Sequence, residues 1–184
     1  MPPIPDQALT PQQRAAQAEL VSGPRGALAG PFVPLLRSPG LMERAQKLGA
    51  YLRFESALPD RIKELAILAV AAHWGQGYEW AFHLPLALKA GVARETAQAL
   101  AEGRAPEQLT AEDAAALDLV GELQADRTVS EPTYRQAVAL FGEAGAVDLA
   151  GFAGYYGLLA MVMNMARTPA EEAEIPLRTV EARR

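Results

Sequence analysis

Glu79 and His83 stand four residues apart, a spacing that on a helix brings a carboxylate and an imidazole to one face within hydrogen-bonding range. A carboxylate so placed raises the imidazole pKa and fixes its tautomer, as a general acid or base requires. On a solvated face the same pair would be an ordinary ion pair worth roughly 0.2–0.5 kcal/mol. Glu64 strengthens the chemical reading. It is followed directly by LAILAVAA, one helical turn before Leu68 and two before Ala71, so its charge begins a strongly apolar run on or near the side that must be buried. A buried carboxylate without a partner is costly.

The stretch HWGQGYEWAFH, His73 to His83, holds the chain's two histidines and both of its tryptophans. His73 closes one helix, where an imidazole caps the last carbonyls or interacts favourably with the helix dipole. With no H-E-x-x-H pattern and a glycine turn between the histidines, a metal site from His73, Glu79 and His83 is not expected. Trp74, Tyr78 and Trp80 are packing residues individually; as a group beside polar side chains they can wall an apolar pocket. Tyr155 and Tyr156 lie in an apolar helix where a phenol hydroxyl needs a partner, and one of them is expected to face that pocket.

These residues must be positioned by helices. Half of the 184 residues are hydrophobic, and alanine-rich composition with few aromatic or β-branched residues favours helix over sheet, so the fold class expected is all-α. The length suits one domain spanning 1–184, with a core over about 40–167, an N-terminal helix and Pro/Gly-rich loop over 1–39, and a charged tail over 168–184.

The first helix is expected to open at Thr10-Pro11-Gln12-Gln13 with a capping box and to end near Ser22-Gly23-Pro24. GALAGPFVPLLRSPG, Gly26 to Gly40, breaks any helix, but Phe32, Val33, Leu35 and Leu36 call for an ordered loop on the core. Leu41 to Phe54 reads as an amphipathic helix buried through Leu41, Ala45, Leu48 and Leu52. A helix from Pro59-Asp60 through His73 buries Leu65, Leu68 and Ala72. The next runs to a C-terminal cap at Gly91.

Further helices are expected over Ala93 to Glu102, from a Thr110 cap to Asp126, from a Ser130 cap to about Gly142, and over Leu149 to Arg167. Leu149 to Ala166 carries no charge and approaches the ~20 residues of a bilayer span. It reads instead as a buried helix: Asp148 and Arg167 bracket it, Gly151, Gly154 and Gly157 let another helix approach, and Asn164 wants a protein partner. The tail from Thr168 has no period and is expected to be mobile or to lie across a neighbour.

A net charge of −5 with scattered arginines argues against nucleic acid, and MPPIPDQALT does not look like a secretory signal, so the simplest location is cytoplasmic with no membrane partner. With no cysteine, this chain cannot perform thiol peroxidase chemistry, disulfide exchange or thiolate metal binding. No cofactor is called for.

Arg61 to Gly91, RIKELAILAVAAHWGQGYEWAFHLPLALKAG, resembles the carboxymuconolactone decarboxylase family, which includes the alkylhydroperoxidase proteins. Glu64 matches the family's glutamate and His83 its histidine, with the spacing kept, while Gln76 and Glu79 stand where the peroxidase branch has its two cysteines. Decarboxylase members tend to carry Y-E-W-A-x-H, which Tyr78 to His83 fits; P-x-A-x-K-A-G after the histidine and GYYxLxxMxxN at Gly154 to Asn164 extend the likeness over most of residues 10 to 167.

The resemblance implies an all-helical, alkylhydroperoxidase-like subunit assembling into homo-oligomers, trimers or hexamers. The apolar C-terminal helix and the Pro/Phe loop are then interface candidates. It further implies decarboxylase-like acid–base chemistry on a small oxo-acid or lactone carboxylate, or isomerisation or hydrolysis of a lactone. On this reading His83 donates or shuttles the proton, Glu79 orients it and Glu64 forms the far end of the relay. Gln76 or Tyr78 supports the developing oxyanion and Arg61 binds the substrate carboxylate, with Trp80 and His73 also on the substrate side. The rival expectation is a non-catalytic oligomeric binding or scaffold protein on the same fold, in which Glu64, Glu79 and His83 do not converge and no pocket opens beside them.

Overall fold

Thr10 opens the first helix through a complete capping box: its side chain accepts from the Gln13 amide at 3.2 Å, and the Gln13 side chain accepts from the Thr10 amide at 3.0 Å. The computed structural model describes residues 1–23 and 26–178, which form eight α-helices and no strand. They are α1 (Pro11–Ser22), α2 (Phe32–Leu35), α3 (Pro39–Ala50), α4 (Asp60–His73), α5 (Gly77–Ala90), α6 (Arg94–Glu102), α7 (Ala111–Ala125) and α8 (Glu131–Ala166). The all-α expectation holds, as do the caps at Thr110, Ser130 and Gly91. The first helix ends at Ser22 as expected, while Pro24 lies outside the described residues.

α4 is the central element. It forms a hairpin with α5 and also packs against α6, α7 and α8. Ile62, Leu65, Ala66, Ile67, Leu68, Val70 and Ala71 are all buried, so the helix is apolar nearly all round rather than on the single face expected; Ala72 is only half-buried. Each fully buried Leu, Ile or Val contributes about 1.5–3 kcal/mol, which anchors this helix as the frame of the site.

Around that frame the buried apolar residues fall into two clusters. One joins α1 to α3, one side of α4, and α8; the other lies between α4 and α5, α6 and the C-terminal segment. The 26–36 loop packs on the first cluster through Phe32, Leu35 and Leu36, as its composition required, and includes the single turn of α2.

Three expectations need correction. In α3 the buried residues are Met42, Ala45, Gly49 and Leu52, whereas Leu41 and Leu48 are exposed. Both sets have helical spacing and share Ala45 and Leu52, so periodicity alone did not separate them. α3 also ends at Ala50 and passes into a π-turn, Tyr51–Glu55, which inserts an extra residue per turn.

The last two expected helices meet directly. Gly142, at φ 71° and ψ 171°, kinks α8, and helix resumes at once instead of waiting for Leu149. In its second half, Gly151 lies against Leu52 and Gly157 against Trp74, while Gly154 faces solvent, so the glycines serve two neighbours rather than one. The apolar window of α8 passes a membrane-span test by length, but 56% of it is buried inside the protein, as in a core helix.

The tail is the third correction. Through Arg178 it docks on its own chain: Ile175 is buried in the second cluster, its carbonyl accepts from Trp80 Nε1 at 2.7 Å, and the Arg178 amide donates to Ala101 O at 2.9 Å. Residues 179–184 lie outside the described chain.

Candidate active site

The turn between α4 and α5 sets the phase of everything that follows it. Gln76 caps α5, its Oε1 accepting from the Tyr78 amide at 2.7 Å and the Glu79 amide at 3.4 Å. Its Nε2 donates to Asn164 Oδ1 at 2.9 Å, and Asn164 Nδ2 donates to the Trp74 carbonyl at 3.0 Å. The hairpin is thereby tied to the end of α8, and Asn164 finds the partner its position required.

With α5 held in this phase, His83 and Glu79 face Glu64 on α4. His83 Nδ1 lies 2.7 Å from Glu64 Oε2, and Nε2 lies 3.3 Å from Glu79 Oε2. The imidazole is clamped between two carboxylates and is 2% exposed. Burial is the largest influence on its pKa and favours the neutral ring, but the hydrogen bonds and charges of Glu64 and Glu79 together outweigh it and raise the pKa. Glu64 makes the shorter of the two contacts, on Nδ1, and Glu79 the longer, on Nε2.

Beside this clamp opens a cavity of about 400 Å³, a size typical of small-molecule sites. Glu79, His83, Tyr78 and Phe82 line it from α5, Tyr156 and Leu159 from α8, Arg53 and Phe54 from the π-turn, and Ala27, Ala29, Pro31 and Phe32 from the loop. Tyr78 and Phe82 stack with their planes 9° apart, and Tyr156 meets the His83 ring edge-on at 5.3 Å. Burial pushes the Tyr156 phenol well above its usual range, with the nearby Arg53 charge acting the other way. The loop is fitted closely to this wall. Gly30 has φ 55°, and a Cβ there would stand 2.4 Å from the Tyr78 ring, so the position demands glycine for both conformation and space.

Residues 39–122 match the family model described as the carboxymuconolactone decarboxylase family. The matched segment is a little under half of the chain. The segment contains Arg53, Glu64, Gln76, Glu79 and His83. A crystal structure from Ralstonia eutropha JMP134, described as an alkylhydroperoxidase AhpD core of an uncharacterized peroxidase-related protein, shares the fold at a TM-score of 0.70. At 18% identity the alignment covers 98% of this chain and 92% of that one. No curated protein matches the chain significantly.

Of the expected site residues, Tyr78, Glu79 and His83 line the cavity, Glu64 is joined to it through its contact with His83, and four others do neither. His73 is exposed at the end of α4, edge-on to Trp74 at 5.9 Å, as a helix-terminal residue would be. Gln76 lies outside the cavity lining, its Nε2 donating to Asn164 and its Oε1 accepting from the α5 amides. Trp80 points into the second cluster, 1% exposed and bonded to Ile175. Arg61 is ion-paired with Glu112 at 2.6 Å and with Asp113, joining α4 to the start of α7. Among the described residues no group of three His, Asp or Glu side chains is gathered to hold a metal ion.

Sequence reasoning missed Arg53, Phe54 and Phe82. Phe82 was available in principle, because it lies four after Tyr78 and next to His83, on the same stripe of α5. Arg53 and Phe54 reach the cavity through the π-turn, which no periodicity announces. The decarboxylase-family signature covers the acid–base clamp but not the Tyr156 wall or the loop, which lie outside residues 39–122.

Proposed function

We propose that the protein is an acid–base enzyme of the carboxymuconolactone decarboxylase type, acting on a small oxo-acid or lactone carboxylate and not as a thiol peroxidase. One observation carries this reading: an imidazole held between two carboxylates forms part of the wall of a cavity of substrate size. A scaffold protein on this fold would have no need to bury that clamp beside an open pocket.

In the proposed reaction the bond to the departing carboxylate breaks, its electron pair passes into the conjugated carbonyl as an enolate, and carbon dioxide leaves. The enolate carbon then takes a proton from the imidazolium on the side shared by Nε2 and Glu79. Glu64 holds Nδ1 throughout, so the ring presents the same nitrogen in every turnover. The stacked Tyr78 and Phe82 supply a flat, apolar wall for a conjugated substrate. The same groups suit lactone isomerisation, in which the proton is removed and returned.

A homo-oligomer is part of the proposal. Val147, Met161 and Met165 on α8 stay exposed as candidate contacts, and the exposed Leu41, Leu48, Tyr51 and Phe54 along α3 and the π-turn offer a second candidate face. Turnover of carboxymuconolactone and related lactone acids by the wild type, His83→Ala and Glu79→Gln tests the reaction. Turnover by wild type that falls sharply in both variants supports it. Unchanged turnover in both would refute the mechanism, and a wild type inert on every lactone acid would refute the substrate class.

A further inference from the structure

Arg53 is a cation with unusual surroundings. Among the other cations near this end of α4, Arg61 is matched by Glu112 and Asp113 and Lys63 by Asp60 at 3.2 Å. Arg53 makes no ion pair among the described residues. Its guanidinium lies instead over the Phe54 ring at 5.4 Å and the Phe82 ring at 5.9 Å, half-buried at the cavity. It reaches this position from a π-turn, a rare distortion frequently found at functional sites.

Opposite, Tyr156 is 3% exposed and lines the same cavity, and its hydroxyl has no hydrogen-bond partner among the described residues. A buried hydroxyl left unbonded is costly, so one that faces a cavity is open to a partner from within it. Two donors, one charged and one neutral, therefore line one cavity with no acceptor of their own among the described residues. Phe82 neighbours both the guanidinium, at 5.9 Å, and the His83 ring, at 5.1 Å.

We propose that Arg53 and Tyr156 form a carboxylate-binding subsite of this cavity, which anchors a small, flat, conjugated acid by a carboxylate that is not lost in the reaction. The assignment to the retained group follows from the chemistry, and in that respect it rests on the acid–base reading above. A departing carboxylate gives up its charge on the way to carbon dioxide, so a guanidinium placed on it would hold the ground state more tightly than the transition state. A retained carboxylate keeps its charge throughout, and a fork of N–H donors on it orients the substrate without opposing the bond cleavage. The leaving group is then directed toward the carboxylate end of the cavity, at Glu79.

Binding of 2-furoate, a flat conjugated acid, and of its neutral counterpart 2-furamide, measured by titration calorimetry on the full chain, tests this directly. Wild type is expected to bind 2-furoate and to bind 2-furamide at least about tenfold more weakly. Arg53→Gln should weaken 2-furoate about tenfold or more while leaving 2-furamide unchanged, and Tyr156→Phe should weaken 2-furoate by about threefold. Arg53→Lys, which keeps the charge and loses the fork, should fall between. Equal binding of 2-furoate by wild type and Arg53→Gln, equal binding of acid and amide by wild type, or no binding of 2-furoate would each overturn the proposal. His83→Gln should still bind 2-furoate, so that a failure of the acid–base reading shows as lost or absent turnover with the Arg53-dependent binding intact.

Discussion

The two faces of α5 are built from the same eleven-residue stretch and its continuation, and they do different work. Trp80, Leu84 and Ala87 form one stripe, packed with Leu65, Leu68 and Ile175 in an apolar cluster where the indole N–H donates to the Ile175 carbonyl. Tyr78, Glu79, Phe82 and His83 form the other, turned toward a cavity and carrying a charged clamp. A single cap, Gln76, sets the phase for both. The difference teaches that rarity of residue type marks the hairpin as important without saying which face is chemical. Helical phase decides that, and phase is fixed by a hydrogen bond to α8, 88 residues away in sequence.

The comparison is broken most severely on the chemical face. His83→Ala should lower turnover about 10²–10⁴-fold, the usual contribution of a positioned acid–base group, while far-UV circular dichroism remains helical. On the packing face, Trp80→Ala should cost about 3–5 kcal/mol in chemical denaturation and raise amide exchange over 168–178, because the indole both fills the cluster and holds the tail. Turnover per folded molecule should change little. If Trp80→Ala instead abolished turnover in protein that remained folded, the division between the faces would be wrong. The smallest effect sharpens the boundary of the site. Arg61→Gln should cost under about 1 kcal/mol, because its ion pairs with Glu112 and Asp113 are partly solvated, and should leave turnover unchanged.

Much of the frame was legible in local chemistry. The Thr10, Thr110 and Ser130 caps and the Gly91 terminator depend on residues within one turn of each other, so their sequence signals were sufficient. Glu64, Glu79 and His83 were legible because an acid at the head of an apolar run and an i,i+4 pair both require partners. What escaped depended on distant packing. The face of α3 could not be read because two overlapping stripes were equally periodic, and Arg53 could not be found because a π-turn has no sequence period. Arg61 looked like the substrate cation because its partners, Glu112 and Asp113, lie on another helix. The tail looked free because its anchor, Trp80, is 95 residues upstream of the carbonyl it binds.

The central claim is that His83 carries its proton because two carboxylates hold it. Since its folded-state pKa is raised above the unfolded value of about 6.5, His83 contributes stability that is fully present below about pH 6.5 and is lost as pH rises through the folded-state value. The melting temperature should therefore fall across that window, and Glu64→Gln should flatten the fall. The most direct test is an NMR titration of the two imidazoles, assigned with His73→Asn. The account predicts that His83 stays protonated above pH 6.5 in the wild type and that Glu64→Gln lowers its pKa. A His83 that loses its proton below pH 6.5, or that titrates identically in Glu64→Gln, would contradict it.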